Sequence, residues 1–133
     1  MKTIDQLLSQ KMMTLVRSNS QSEGQMMADA LVEAGVKVIE ITLTTPGALK
    51  IIERLLKNKD LLVGAGTVRT VKDVKKVEDI GVSFIVSPDT NEDVIAATKK
   101  LKLVSMPGVS TPTEVAIAEE CGADILKLFP AAI

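Results

Sequence analysis

The segment VKVIEIT (36–42) is a short β-rich run enclosed by two helical patterns, and this arrangement indicates the fold class. The run SEGQMMADALVEAG, which ends at Gly35, precedes it, and Thr45-Pro46 opens a second helical pattern after it. Short apolar runs and amphipathic stretches alternate in the same way along the whole chain. Such alternation is typical of βα units, in which helices cover a sheet of parallel strands. The sequence therefore predicts an α/β fold with a parallel sheet.

Six strands and five helices are predicted from this pattern. The strands are expected at 12–17, 36–42, 61–66 and 83–86, and within LKLVSMPG and ADILKLFP. Each helix begins at a capping signal, because a short polar side chain can satisfy free backbone N–H groups of the first turn. The five signals are Ser20 with Glu23, Thr45 with Pro46, Thr70 with Asp73, Thr90 with Asp93, and Thr111-Pro112-Thr113-Glu114. The helices are expected to end near Gly35, residue 57, Gly81, Lys100 and Gly122.

The expected architecture is a (βα)5β series. Right-handed crossovers would place the six strands in one parallel, curving sheet, as in a TIM (β/α)8 barrel. A complete barrel takes about 250 residues, and about 200 is near the lower limit. This chain has 133 residues, so we expect a single partial TIM-barrel domain over 1–133 that lacks the last two βα units. The residues after Pro130 would then lie in the loop that follows strand six.

Composition argues against several classes of function. With 16 basic and 17 acidic residues the net charge is −1, and no basic cluster indicates a nucleic-acid surface. No apolar run approaches the roughly 18 residues of a membrane span, and MKTIDQLLSQK lacks the apolar core of a signal peptide, so we expect a cytoplasmic protein. The chain has no His and one Cys, so it has no imidazole metal ligand and no Cys–His pair, which argues against zinc-hydroxide mechanisms and catalytic triads. No cofactor is expected. Cys121 and the pair Met26-Met27 are interpreted as core residues.

Two ionisable residues are predicted to lie inside the curved sheet. Side chains alternate along a strand, so Glu40 faces the interior if Ile39 and Ile41 face the helices. In the sixth strand, Lys127 shares the interior face with Phe129. Either residue alone is better explained by a polar side chain that faces solvent on an open sheet. Together they place an acid and an amine near the carboxyl ends of the strands, which is where barrel enzymes keep their chemistry.

This pair of residues suits Schiff-base chemistry. A lysine attacks a carbonyl only after it has lost its proton, and an apolar setting beside Phe129 favours the neutral amine of Lys127. Burial should raise the pKa of Glu40. The carboxyl would then be a suitable acid/base partner, because the carbon next to the carbonyl must lose and regain a proton.

Four further residues are candidates for substrate binding. Arg17 ends the first strand, where a guanidinium can clamp a carboxylate or phosphate, although an ordinary surface arginine explains it equally well. Thr67 belongs to GAGTV (64–68), whose glycines allow close backbone approach, although a tight βα turn needs the same residues. Pro88 ends the fourth strand and either shapes the mouth of the site or makes a structural turn. Phe129 flanks Lys127 and completes the set.

The strand ends, taken in order, carry six motifs, which are TLVRSNS, VIEITLTTP, VGAGTV, FIVSPD, MPGVSTPTE and ILKLFPA. With these motifs the whole chain resembles the 2-keto-3-deoxy-6-phosphogluconate (KDPG) aldolase and 4-hydroxy-2-oxoglutarate (KHG) aldolase family. The resemblance implies a metal-independent class I lyase on a TIM barrel, and a homotrimer. It also implies the cleavage of a 2-keto-3-deoxy-6-phospho sugar acid into pyruvate and glyceraldehyde 3-phosphate, as in the Entner-Doudoroff route of carbohydrate metabolism.

The resemblance further implies roles for individual residues. Lys127 would form the Schiff base with pyruvate, and Glu40 would be the general acid/base, working through a water. Arg17 and Thr67 match substrate-binding positions of the family. Some members carry a substrate-contacting arginine where this sequence has Thr44, and the family's phosphate site lies on loops after strands seven and eight. The sugar acid and the mode of phosphate recognition therefore stay unassigned.

Two other classes of function stay open from the sequence. A non-catalytic half-barrel would bind ligand or act only in assembly, and partner chains would cover its open edges at the first and sixth strands. Another Schiff-base lyase on the same scaffold would act on a different 2-keto acid.

Overall fold

The computed structural model describes residues 3–132, along which helices and strands alternate. Residues 1, 2 and 133 of the predicted domain lie outside the described residues. The strands are β1 (Thr14–Val16), β2 (Val38–Thr42), β3 (Leu62–Gly66), β4 (Phe84–Ser87), β5 (Val104–Val109) and β6 (Lys127–Leu128). The helices are α1 (Thr3–Gln10), α2 (Gln21–Glu33), α3 (Ala48–Leu55), α4 (Val71–Asp79), α5 (Glu92–Lys100) and α6 (Pro112–Glu120).

The six strands form one parallel sheet in the order β1-β2-β3-β4-β5-β6, so β1 and β6 are its edges. Each strand pairs with the next strand of the chain, and a helix connects every pair. The prediction of an α/β fold with six parallel strands is confirmed, and the sheet has the arrangement of a half-barrel.

The two faces of the sheet pack against different partners. The outer face, with Ile39 and Ile41 of β2, packs on helix residues such as Ile51 and Ile52. The inner face carries a second cluster, which we call the inner cluster and which consists of Leu7, Val38, Phe84, Val86, Val104 and Met106. The period-two prediction for β2 is therefore confirmed, because consecutive residues of that strand belong to opposite faces.

Helix α1 was not predicted from the sequence. Its only buried residue among the described ones is Leu7, which packs in the inner cluster. Val38, Phe84 and Val104 are the first residues of their strands, so Leu7 covers the amino-terminal end of the inner face. Ile4, Leu7 and Leu8 have the i, i+3, i+4 spacing of an amphipathic helix, so this signal was present in the sequence.

Two of the predicted helix starts are confirmed in full and a third in part. The Thr70 hydroxyl accepts the N–H of Asp73 at 3.1 Å, and Thr111 forms a reciprocal capping box with Glu114. Ser20 accepts the N–H of Glu23 at 3.2 Å, as predicted. The Glu23 carboxylate, however, accepts the N–H of Asn19 rather than that of Ser20, so the box is not closed.

The other two predicted caps are wrong, because the threonine hydroxyls have tertiary partners. Thr45 is buried and accepts the N–H of Ser18 at 3.2 Å, so α3 begins after Gly47 in the left-handed region (φ 69°) and Pro46 lies outside the helix. The Thr90 hydroxyl donates to the carbonyl of Gly108 at 2.7 Å. The N-cap of α5 is consequently Asn91.

Several strands also differ from their predicted bounds. The first three strands begin one or two residues later than predicted, and the fourth is Phe84–Ser87, one residue later than expected. The sixth retains only Lys127–Leu128 of ADILKLFP. The N–H groups of both Asp124 and Ile125 donate to the Ser105 carbonyl, at 3.0 and 3.2 Å, so the chain turns there instead of running straight along β5.

The interpretation of Met26-Met27 as core is wrong. Met26 is 71% exposed and Met27 38% exposed, because α2 buries the opposite side of the helix through Gly24 and Ala28. Cys121 is half-buried at the end of α6 and packs against a small cluster around Val109.

Within residues 3–132, no helix is long and apolar enough to cross a membrane. Nor do three or more His, Cys, Asp or Glu side chains cluster as metal ligands in that part of the chain.

Candidate active site

Glu40 occupies the centre of β2, where its register partners are Leu15 on β1 and Gly64 on β3. It is only 1% exposed. Its strand neighbours Ile39 and Ile41 belong to the outer core, which leaves the carboxyl on the inner face. The structure therefore places Glu40 where the sequence predicted it.

Burial raises the pKa of the Glu40 carboxyl above its ordinary value of 4.5. The positive charges of Lys127 and Arg17 act in the opposite direction, but the loss of hydration is the larger effect. Among the residues that the structure describes, Glu40 Oε1 has no hydrogen-bond partner. A buried carboxyl with a raised pKa keeps its proton to a higher pH than an exposed one, and a free oxygen lets it accept or donate that proton.

Two glycines of β3 provide the space into which the neighbouring strands place their side chains. A Cβ at Gly64 would overlap the ring of Phe84, and a Cβ at Gly66 would overlap the Glu40 carboxyl. From the sequence, these glycines indicate either a close backbone approach or a tight βα turn, but not the two side chains that occupy the space beside them. The signal that could have revealed their role is the spacing of two in GAG, which puts both glycines on the inner face of the strand.

Lys127 begins β6 and pairs in register with Gly108 of β5. Its Nζ lies 4.6 Å from the centroid of the Phe129 ring, a cation–π distance. The lysine is half-buried and Phe129 is 43% exposed. The apolar enclosure expected around Lys127 is thus only partly present, because β6 is an edge strand.

Arg17 and Thr67 lie together at the carboxyl ends of β1 and β3. Arg17 Nη2 donates to Thr67 Oγ1 at 3.4 Å. The two strands flank β2, so this hydrogen bond crosses the carboxyl end of the strand that carries Glu40. Thr67 has a left-handed backbone (φ 56°), which is rare for a β-branched residue and is found most often at functional sites.

Pro88, the remaining candidate, packs at the rim of the same end of the sheet. A Cβ at Gly108 would lie 2.6 Å from the Pro88 carbonyl carbon, so the loop after β4 crosses directly over that glycine. Gly108 is the register partner of Lys127. Pro88 is thereby connected to the site through the backbone of β5.

A group of threonine hydroxyls beside Glu40 was not recognised from the sequence. Thr42 Oγ1 lies 3.0 Å from Thr44 Oγ1 and 3.1 Å from Thr45 Oγ1. Because Thr45 also accepts the N–H of Ser18, this group joins the loop after β2 to the loop that follows Arg17. The spacing of TLTT indicates three hydroxyls, but their connection to the first loop is a tertiary contact.

By its fold and its site, this protein is a parallel α/β half-barrel that presents a lysine amine and a buried carboxyl on its inner face. The chain belongs to the aldolase family described as KDPG and KHG aldolase, which it matches over residues 4–133. The resemblance inferred from the six motifs is confirmed.

Individual relatives agree with this assignment. A probable 2-dehydro-3-deoxy-6-phosphogalactonate aldolase of Rhizobium meliloti (strain 1021) is 36% identical over 128 residues, which are 95% of this chain and 60% of the relative. The crystal structure of the Zymomonas mobilis ZM4 KDPG aldolase with 3-phosphoglycerate superposes with a TM-score of 0.81 at 33% identity, over 90% of this chain and 57% of that one. The KDPG aldolase of Legionella pneumophila, with pyruvate captured at low pH as a covalent carbinolamine intermediate, gives a TM-score of 0.77 at 33% identity, over 90% and 58%.

The chain spans less than two thirds of the length of these relatives. All three matches cover nine tenths or more of the present chain. The common part therefore includes most of the half-barrel.

Proposed function

We propose that the site catalyses class I aldol cleavage of a 2-keto-3-deoxy-6-phospho sugar acid to pyruvate and glyceraldehyde 3-phosphate, and that KHG is a second substrate. Lys127 is the Schiff-base amine and Glu40 the general acid/base. The observation that carries the proposal is the buried Glu40 carboxyl, whose pKa is raised by burial and which lies within the field of Lys127 and Arg17.

The reaction begins with attack of the neutral Lys127 amine on the keto carbon, which forms a carbinolamine. Loss of water from the carbinolamine gives a protonated imine. This cation accepts the electron pair of the breaking carbon–carbon bond while the hydroxyl of the departing aldehyde loses its proton. The resulting enamine of pyruvate is protonated at its terminal carbon, and water then hydrolyses the imine. Amine attack of this kind is supported by the carbinolamine captured in the Legionella relative.

Glu40 transfers the protons of these steps through a water, and its raised pKa suits both directions of transfer. Arg17 and Thr67 hold the carboxylate of the keto acid, because a guanidinium and a hydroxyl 3.4 Å apart present donors to the same anion. Pro88 and Phe129 line the rim around Lys127. No metal and no organic cofactor takes part in the proposed steps.

In this proposal the half-barrel is the first part of a TIM (β/α)8 barrel, and residues 1–133 form a single partial domain of it. The greater length of the relatives supports this part. The whole protein is proposed to be a cytoplasmic homotrimer, with the phosphate of the substrate bound on loops that follow strands seven and eight.

The proposal is tested by incubating the protein with pyruvate and borohydride and mapping the reduced adduct by mass spectrometry. We expect one added pyruvate unit on Lys127, and no adduct in Lys127→Ala. Lys100→Ala, which removes an exposed lysine of α5, is the matched control and should be labelled like the parent. Label spread over other lysines, or label that survives Lys127→Ala, would overturn the assignment.

A second candidate is a non-catalytic half-barrel that only binds ligand or assembles. It is favoured by the open position of Lys127 on a two-residue edge strand beside a Phe129 that is 43% exposed. Reversible binding of pyruvate without a trapped adduct would support this candidate. A third candidate, another Schiff-base lyase, would form the adduct but cleave other 2-keto acids in a substrate panel.

A further inference from the structure

The last residue of β3, Gly66, lies against the side chain of Glu40. Gly66 is the register partner of Thr42, two residues after Glu40 on the same face of β2. A Cβ built on Gly66 would lie 2.5 Å from Glu40 Cδ and 2.8 Å from its Cγ, and it would overlap Oε1. All three atoms fall well inside van der Waals contact. The Glu40 carboxyl therefore occupies the volume that any side chain at position 66 would need.

The backbone at Gly66 is held from both sides, so the strand cannot move away from an added side chain. The N–H of Leu43 donates to the Gly66 carbonyl at 2.9 Å, and the preceding residue Ala65 pairs with Ile41 and with Ile85. Ala65 is fully buried in the outer core. An added methyl group at position 66 would consequently displace the carboxyl of Glu40, which is the far end of a flexible side chain.

Shape is the main constraint on this carboxyl. Its Oε1 has no hydrogen-bond partner among residues 3–132, so no described donor holds that oxygen in place. Lys127 and Arg17 attract it only through their charge. Because the surrounding atoms, and not a hydrogen bond to Oε1, position the Glu40 carboxyl, we expect it to move when the space beside it changes.

We infer that Gly66 is a positioning residue that sets where the Glu40 carboxyl lies on the inner face of the half-barrel. The inference rests on the proposed function only in assigning acid/base chemistry to Glu40. Gly64 differs in this respect, because a side chain there would overlap the ring of Phe84 instead of the carboxyl.

The first test is the exchange of pyruvate methyl protons with D2O, followed by NMR, in the whole chain. Gly66→Ala should slow this exchange by about 10²-fold, the usual cost of misplacing a reacting group by roughly 1 Å. The borohydride-trapped adduct on Lys127 at saturating pyruvate should persist. Gly64→Ala is the matched control, because it adds the same methyl group on the same face of the same strand. Equal slowing in both variants would overturn the inference.

The second test is rescue by a shorter carboxylate. Glu40→Asp retracts the carboxyl by one methylene and should relieve the overlap in Gly66→Ala. We expect the double variant to exchange methyl protons faster than Gly66→Ala alone and to unfold at a higher urea concentration. Glu40→Asp should give no such gain in the Gly64→Ala background. A double variant no better than Gly66→Ala in either measurement would overturn the inference.

These tests separate the inference from the proposed function. If Glu40→Gln leaves methyl-proton exchange unchanged, the acid/base role of Glu40 is wrong. The urea rescue then decides the positioning inference by itself, because it measures the contact of Gly66 with Glu40 without any catalysis. The presence of the rescue would support the inference and its absence would refute it.

Discussion

Glu40 combines two properties that usually exclude each other, an ionisable head group and 1% exposure. Burying a carboxyl without full hydrogen bonding costs free energy in its charged form, and the pKa rises as a result. In a residue with only a structural role, this free-energy cost would simply destabilise the fold. In a residue that must both accept and donate protons, a raised pKa is a functional property.

The raised pKa predicts how stability depends on pH. A carboxyl whose pKa is higher in the folded than in the unfolded state favours folding below its unfolded pKa, and that contribution is lost as the pH rises through the folded pKa. Glu40→Gln has no such dependence. The free energy of unfolding of Glu40→Gln minus that of the parent, both measured in urea, should therefore increase as the pH rises from about 4 to about 8. The increase should be ~1.4 kcal/mol for each unit by which folding raises the pKa of Glu40.

The matched control is Glu53→Gln, which removes the same negative charge from an exposed position on α3. If the stability of Glu40→Gln relative to the parent is the same at both pH values, or falls as the pH rises, the pKa of Glu40 is not raised in the folded state.

Among the secondary-structure elements, the segment that leads into β6 is bonded to its neighbours through one carboxylate. Asp124 Oδ2 accepts the N–H of Ser105 on β5 at 2.8 Å and the Nζ of Lys99 on α5 at 2.6 Å. Oδ1 accepts the same Lys99 Nζ at 2.7 Å. Asp124 thus joins α5, β5 and the segment that leads into Lys127.

Asp124→Ala should destabilise the protein by about 1–3 kcal/mol in urea unfolding, because the half-buried N–H of Ser105 loses its acceptor. Lys99→Met removes the ion pair but keeps the bond to Ser105, and it should cost less than about 1 kcal/mol, as expected for a partly exposed pair. If the two variants lose the same stability, the bond to Ser105 contributes nothing beyond the ion pair.

At the level of the whole molecule, the edge at β1 has an exposed apolar surface. Leu15 is 42% exposed and Met27 38% exposed, and together with Thr14, Ala30 and Leu31 they line a groove of ≈ 530 Å³, which we call the β1 groove. The opposite edge exposes Leu128 (66%) and Phe129. An edge strand beside an apolar groove is a surface on which further chains pair and pack.

We therefore expect copies of this chain to associate in solution as concentration rises, as measured by sedimentation velocity. Replacing Leu15 and Met27 together with lysine should shift the distribution towards the monomer. Leu8→Lys on α1, where the side chain is 58% exposed but outside the β1 groove, is the matched control. A parent chain that sediments as a monomer at every concentration contradicts this prediction.

Much of this molecule could be predicted from local patterns. The alternation of strands and helices, the caps at Thr70 and Thr111, and the inward direction of Glu40 all depend on spacing within a few residues. Side-chain direction in a strand has a period of two, and a capping bond spans three residues. Such features are therefore present in the linear sequence.

Other features required the tertiary structure. Thr45 and Thr90 carry the sequence signal of a cap, yet their hydroxyls bind Ser18 and Gly108, which are distant in the chain. Met26-Met27 has the composition of a core but lies on the exposed side of α2. In each case the partner of the side chain is set by which strands are neighbours.

The features of the candidate site fall into the same two groups, those predictable from the sequence and those that required the tertiary structure. The parallel α/β fold, the family, and the candidacy of Lys127 and Glu40 follow from order, spacing and motifs in the sequence. Three features follow from the folded sheet alone, namely the contact of Arg17 with Thr67, the room that Gly66 leaves for the Glu40 carboxyl, and the position of Lys127 on an edge strand. These contacts join residues on different strands, and the distances between such residues exist only once the sheet has formed.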